Sequence, residues 1–108
     1  MPTVKVNQDR IFYTISAGHS PCTLLCIHGS GGDHRHWPER LRNLMKFRVV
    51  ALDLPGHGRS RGFGCNRVTD YADVVEKFVM GLGLRAVVPA GHSLGGAIVQ
   101  SLALRRPS

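Results

Sequence analysis

Arg85-Ala86-Val87-Val88-Pro89-Ala90-Gly91-His92-Ser93-Leu94-Gly95-Gly96-Ala97-Ile98 is the stretch on which the fold turns. It begins as an apolar run of strand type and breaks at Gly91. A helical pattern follows from Gly95 to Leu104, with Ala97, Ile98, Leu102 and Ala103 apolar and Pro107 as its stop. A serine on so sharp a strand-to-helix bend takes a strained backbone and stands clear of the sheet. Side chains two positions before and two after it would collide, so Gly91 and Gly95 are required by the bend itself. Pro89 is awkward in a buried strand because it removes a ladder donor, so this strand is expected to end early or sit beside an irregularity.

Two upstream stretches repeat the plan. Cys22-Thr23-Leu24-Leu25-Cys26-Ile27 runs into His28-Gly29-Ser30-Gly31-Gly32, and Phe47-Arg48-Val49-Val50-Ala51-Leu52 runs into Asp53-Leu54-Pro55-Gly56-His57-Gly58-Arg59-Ser60. Unbroken apolar runs fit strands buried on both faces, as in a parallel sheet covered by helices. Between them, Tyr71, Val74, Val75, Phe78, Val79 and Leu82 form an amphipathic helical stripe, with Thr69 or Asp70 as a cap and Gly83 as the terminator. A weaker helix is expected from Trp37 to Met45, with Trp37, Leu41 and Leu44 on one side. Ahead of these, Val4–Val6 and Ile11–Ile15 alternate around Asn7-Gln8-Asp9 and read as a hairpin. The class is therefore α/β: a mostly parallel, doubly wound sheet with helices on both faces, right-handed crossovers and an N-terminal hairpin. The 108 residues read as one domain, without an internal repeat or linker.

Composition removes several alternatives. The net charge is +7, but the arginines are scattered and no aromatic residues interleave with them, so a nucleic-acid surface is not expected. Neither a Walker loop nor a clean dinucleotide fingerprint follows a strand. Three cysteines is an odd count, and Cys22 and Cys26, in one expected strand, would lie about 13 Å apart, beyond disulfide reach. Reduced, buried thiols are the plain reading. The first residues lack an apolar signal core and no stretch approaches membrane-spanning length, so a soluble, cytoplasmic chain without membrane partners is expected. His34-x-His36 with Asp33 reads as exposed loop histidines and not as a metal site. Trp37 is expected to anchor its helix on the core, and Asp53 and Arg59 to brace their loop by local hydrogen bonds.

In an open parallel sheet, ligands bind beyond the carboxyl ends of the strands, so the three glycine-rich loops converge on one crevice. The helix after Ser93 directs free N–H groups and its positive dipole end at any oxyanion formed there. Leu94 N–H is one natural donor, and Ser30 or Gly31 in the first loop offers a second. With these loops in place, the chain resembles the serine-nucleophile branch of the α/β-hydrolase superfamily: His28-Gly29 after one strand, Asp53-x-Pro55-Gly56-x-Gly58-x-Ser60 after the next, and Gly91-x-Ser93-x-Gly95 after the third. The resemblance implies Ser93 as nucleophile, the Leu94 and Ser30 amides as oxyanion-hole donors, and supporting positions at His28, Gly29, Gly31, Gly91, His92 and Gly95. It implies cleavage of an ester, thioester or related acyl bond through an acyl-enzyme, with a small acyl substrate and no cofactor or metal.

The resemblance also implies an acid and then a histidine after the serine, and no Asp, Glu or His follows Ser93 in these 108 residues. His92 adjoins Ser93 but is expected to point away across the turn, while His28 and His57 are expected to shape the rim. The expectation is therefore the N-terminal segment of a serine hydrolase, inactive without its triad partners, which associates with a complementary chain or with itself. The alternative is a non-catalytic protein of the same fold that binds a ligand or a partner.

Overall fold

The computed structural model describes residues 2–7, 9–18, 21–43, 46–60 and 64–105. Five strands form one mixed sheet: β1 (Thr3–Val6), β2 (Asp9–Ile15), β3 (Thr23–Ile27), β4 (Arg48–Leu52) and β5 (Val87–Gly91), in the spatial order β1-β2-β4-β3-β5. β1 and β2 form the expected antiparallel hairpin, and β2 continues antiparallel onto β4. β3 then pairs in parallel with both β4 and β5, so the parallel part of the sheet runs from its middle strand β4 out to β5.

The helices are α1 (Glu39–Arg42), α2 (Val68–Leu82) and α3 (Leu94–Arg105). Successive residues of β3 and β4 face opposite sides, as a two-residue period demands. Leu25, Ile27, Val50 and Leu52 pack with Tyr71, Val75 and Phe78 of α2 and Ile98 of α3. Cys26, Val49 and Ala51 face the other side, where Trp37 and Leu41 cover them. Trp37 thus anchors its segment as expected, and helices lie on both faces.

Local details differ from expectation in instructive ways. The N-cap of α2 is Arg67, without a side-chain cap bond, so neither Thr69 nor Asp70 caps it. Both sit inside the first turn, where Asp70 still meets the positive dipole end. Gly83 ends the helix in the left-handed region at φ 65°, with its N–H on the Met80 and Val79 carbonyls. The helix expected over Trp37 to Met45 forms only between Glu39 and Arg42, because Trp37 closes a 3₁₀ turn (His34–His36) and Pro38 stands at the N-cap. Leu44, Met45, Pro107 and the hairpin residue Gln8 lie outside the described residues.

β5 is not buried on both faces. Among the described residues β3 is its one strand neighbour, and Val88 is 55% exposed. Pro89 is tolerated in this strand because the strand lies at the sheet edge, where a missing donor disrupts least. Cys22 likewise falls before β3 and is exposed, whereas Cys26 is buried and Cys65 half-buried; no disulfide joins any two of them.

Candidate active site

Ser93 occupies the left-handed region at φ 57°, and its side chain is exposed. The bend is closed by backbone bonds: His92 N–H donates to Ile27 O at 3.2 Å, Gly95 N–H to His92 O at 2.9 Å, and Ala97 N–H to Ser93 O at 3.1 Å. Both flanking glycines are sterically required. A Cβ on Gly91 would fall on the Gly95 carbonyl group, and a Cβ on Gly95 would fall on the Ile27 carbonyl group. Leu94 opens α3, so its N–H has no intrahelical acceptor and faces outward from the helix start.

The loop after β3 lies against this bend. Gly32 N–H donates to Gly29 O at 3.0 Å, which closes a tight turn with Ser30 and Gly31 at its tip. Gly31 has φ 77°, the sign that the third position of a type II turn requires. A Cβ on Gly29 would approach His92 O at 3.2 Å and Ser93 Cβ at 3.3 Å, so this glycine sets how closely the two loops meet. Ser30, Leu94 and Ser93, expected to work together, are thereby brought to one rim.

Two buried histidines bolt the first loop to the second. His28 is fully buried; its Nδ1–H donates to Gly29 O at 2.7 Å and its Nε2 accepts from Leu54 N–H at 3.0 Å. Desolvation holds its pKa below the usual 6.5, so the ring is neutral with both nitrogens committed, which removes it as a base. His34 is 8% exposed, contrary to the expected exposed pair, because Asp53 draws it inward. The fully buried Asp53 carboxylate accepts from His34 N–H at 2.5 Å and His34 Nδ1–H at 2.8 Å through Oδ1, and from Arg59 N–H at 2.9 Å through Oδ2. The expected bracing by Asp53 is therefore present, and it reaches across to the neighbouring loop. Gly58 lies so close to Asp53 that any Cβ there would strike its carboxylate.

Asp33, His34 and Asp53 place ligand-type atoms within 4.8 Å of one another. Those atoms already serve protein donors, since both Asp33 oxygens accept from Arg35, which holds the Asp33 carboxyl at about 2, below its ordinary 3.8. His57 donates from Nδ1 to Pro55 O at 3.0 Å and lies 5.0 Å from the His28 ring. The His92 ring lies against that of His36, with centroids 4.5 Å apart and planes tilted by 33°. Among the described residues Ser93 Oγ makes no hydrogen bond to any histidine. The His34–Asp53 and His36–His92 partnerships escape a reading of the sequence, since no local spacing links a residue to one 19 or 56 positions away.

A cavity of about 660 Å³ lies away from Ser93. It lies beside the open edge of β5, lined by Leu25, Val79, Val87, Val88, Val99 and Leu102. A smaller apolar groove, about 390 Å³, flanks the other face of the same edge at Leu24, Phe47 and Val88.

A serine at a strained strand-to-helix bend, a glycine turn packed against it and an Asp-x-Pro-Gly loop behind both define a hydrolase fold. The chain belongs to the alpha/beta hydrolase family, whose model matches residues 24–107. It is 38% identical over 104 residues to the dihydrolipoyllysine-residue acetyltransferase component of the acetoin cleaving system from Cupriavidus necator, covering 94% of this chain and 28% of that protein. It is 32% identical over 96 residues to the pimeloyl-[acyl-carrier protein] methyl ester esterase of Pectobacterium carotovorum subsp. carotovorum, covering 88% of this chain and 36% of that enzyme. Among solved structures it is similar to a membrane phospholipase A described as a bacterial virulence factor, with TM-score 0.89 and 37% identity over 98% of this chain and 35% of the other. The chain thus spans roughly a third of the length of these relatives. No helix among the described residues is long and apolar enough to cross a membrane.

Proposed function

We propose that the chain contributes the nucleophile half of a serine-hydrolase site that cleaves a carboxylic ester, thioester or related acyl bond. The observation that carries this is Ser93 itself: exposed, at φ 57°, one residue before a helix N-terminus and against the Gly29 turn. Ser93 Oγ attacks the substrate carbonyl, and the Leu94 and Ser30 amides stabilise the resulting oxyanion. Collapse expels the alcohol or thiol and leaves an acyl group on Ser93, which water then removes. Two relatives with ester-cleaving names support the ester class.

The base that activates Ser93 comes, in this proposal, from a complementary segment that also supplies the acid. His28 has no nitrogen to spare, and no Asp, Glu or His follows Ser93 in the sequence. The open edge of β5, with apolar grooves on both faces, is where that segment docks. A second copy of the chain is the other candidate occupant. Three cysteines with no disulfide between them accord with a reducing, cytoplasmic setting.

p-Nitrophenyl acetate turnover, measured with and without a histidine-bearing complementary segment, tests the proposal. Turnover in the complemented protein that Ser93→Ala lowers by at least about 10³-fold is the expected result. A complemented protein without turnover, or turnover indifferent to Ser93→Ala, would favour a ligand- or partner-binding role instead.

A further inference from the structure

We infer that His36 and His92 form a binding site for a divalent transition-metal cation, of the Zn²⁺, Ni²⁺ and Cu²⁺ class, on the rim beside Ser93. The inference rests on ring geometry and is independent of the hydrolase reading. The two imidazoles come from different loops, and their centroids lie 4.5 Å apart with planes 33° apart. Two imidazoles on one ion, with metal–nitrogen bonds of about 2.1 Å, have ring centres roughly 4.6 Å apart at a right angle and roughly 5.3 Å apart at the tetrahedral angle of Zn²⁺. The pair stands at the right-angle separation, which suits Cu²⁺ and Ni²⁺, and within about 1 Å of the tetrahedral one.

Both residues are exposed, so an ion reaches them without stripping a packed interior, and water fills its remaining positions. Among the described residues neither ring makes a hydrogen bond, whereas His28, His34 and His57 each have a ring nitrogen engaged by the protein. The backbone behind the pair is fixed. His36 N–H donates to Asp33 O at 3.0 Å, and His92 N–H to Ile27 O at 3.2 Å. The Trp37 ring, edge-on at 5.3 Å, limits how far the His36 ring can swing. Such a pair loses little freedom on chelation, and imidazole donors select Cu²⁺, Ni²⁺ and Zn²⁺ over Mg²⁺ and Ca²⁺.

Calorimetric titration of the chain with Ni²⁺ and Zn²⁺, with Mg²⁺ as the control, tests the site. A Cys22→Ser background removes the exposed thiol as a competing ligand. One Ni²⁺ or Zn²⁺ per chain and no heat with Mg²⁺ are expected, with His36→Ala and His92→Ala each weakening affinity at least about tenfold. His36→Cys, which restores a ligand without restoring the ring contact, is expected to keep Zn²⁺ binding. Because both side chains are exposed, the metal-free variants should melt like the parent. Absence of binding, binding unchanged by either alanine variant, or loss in His36→Cys equal to that in His36→Ala would overturn the site.

Discussion

A positive φ at a residue with a side chain costs about 1–2 kcal/mol, and Ser93 accepts it because its neighbours leave the backbone no other path. Gly95 packs onto the Ile27 carbonyl and Gly91 onto Gly95, so the bend and the end of β3 are one unit. Gly95→Ala is therefore expected to destabilise by about 3–4 kcal/mol in chemical denaturation, since backbone must move to admit the methyl. Gly83→Ala is the informative control. It also sits at positive φ but meets nothing within 4 Å, so only the conformational cost of about 1–2 kcal/mol applies. Equal losses at the two sites would mean that close packing at the bend is unimportant. Asp53→Asn replaces a buried carboxylate that accepts three bonds with an amide that must aim a donor at one of its partners. A loss of about 2 kcal/mol is expected from the same denaturation measurement. The glycines were legible in the sequence because a bend is a local event. The reach of Asp53 to His34 was not, because it depends on which strands become neighbours.

At the level of elements, the apolar runs announced β3, β4 and β5 and the 3.6-residue stripe announced α2, since both periods are set by local geometry. What they could not announce was position in the sheet. β5 reads like a central strand yet has one described neighbour, with Val88 exposed and apolar grooves on both faces. A bare edge of this kind templates association. As a 108-residue polypeptide the chain is expected to self-associate or to bind a complementary strand-bearing segment in size-exclusion chromatography with light scattering. Val88→Lys, which places a charge on the exposed edge, is expected to lower the associated fraction while leaving the melting temperature within a few degrees. A monomeric 108-residue polypeptide with a cooperative melt would count against the docking role of β5. Pro89 and the missing cap at Arg67 carry the same lesson, since single residues bias an element and packing decides where it starts and faces.

For the whole molecule, pH sets two opposite limits on stability through groups buried in the fold. His28 is held below its ordinary 6.5 by burial, so the unfolded chain takes up a proton that the folded one refuses. Stability is therefore expected to fall as pH drops below about 6.5. Cys26 is pushed by burial from 9.0 to about 11, so the unfolded thiol ionises first and stability falls as pH rises above 9.0. Denaturation midpoints should plateau between these limits, and Cys26→Ala should flatten the alkaline decline; an unchanged slope would remove Cys26 as its source.

The claim that organises these levels is that the fold lifts one hydroxyl, that of Ser93, into reach of a carbonyl or phosphonyl centre beside waiting amides. Mass-spectrometric mapping of a fluorophosphonate adduct tests it most directly. The expected result is a single adduct at Ser93, accelerated by a histidine-bearing complementary segment and absent in Ser93→Ala. Adducts scattered over several serines, or none at Ser93 even in the complemented protein, would contradict it.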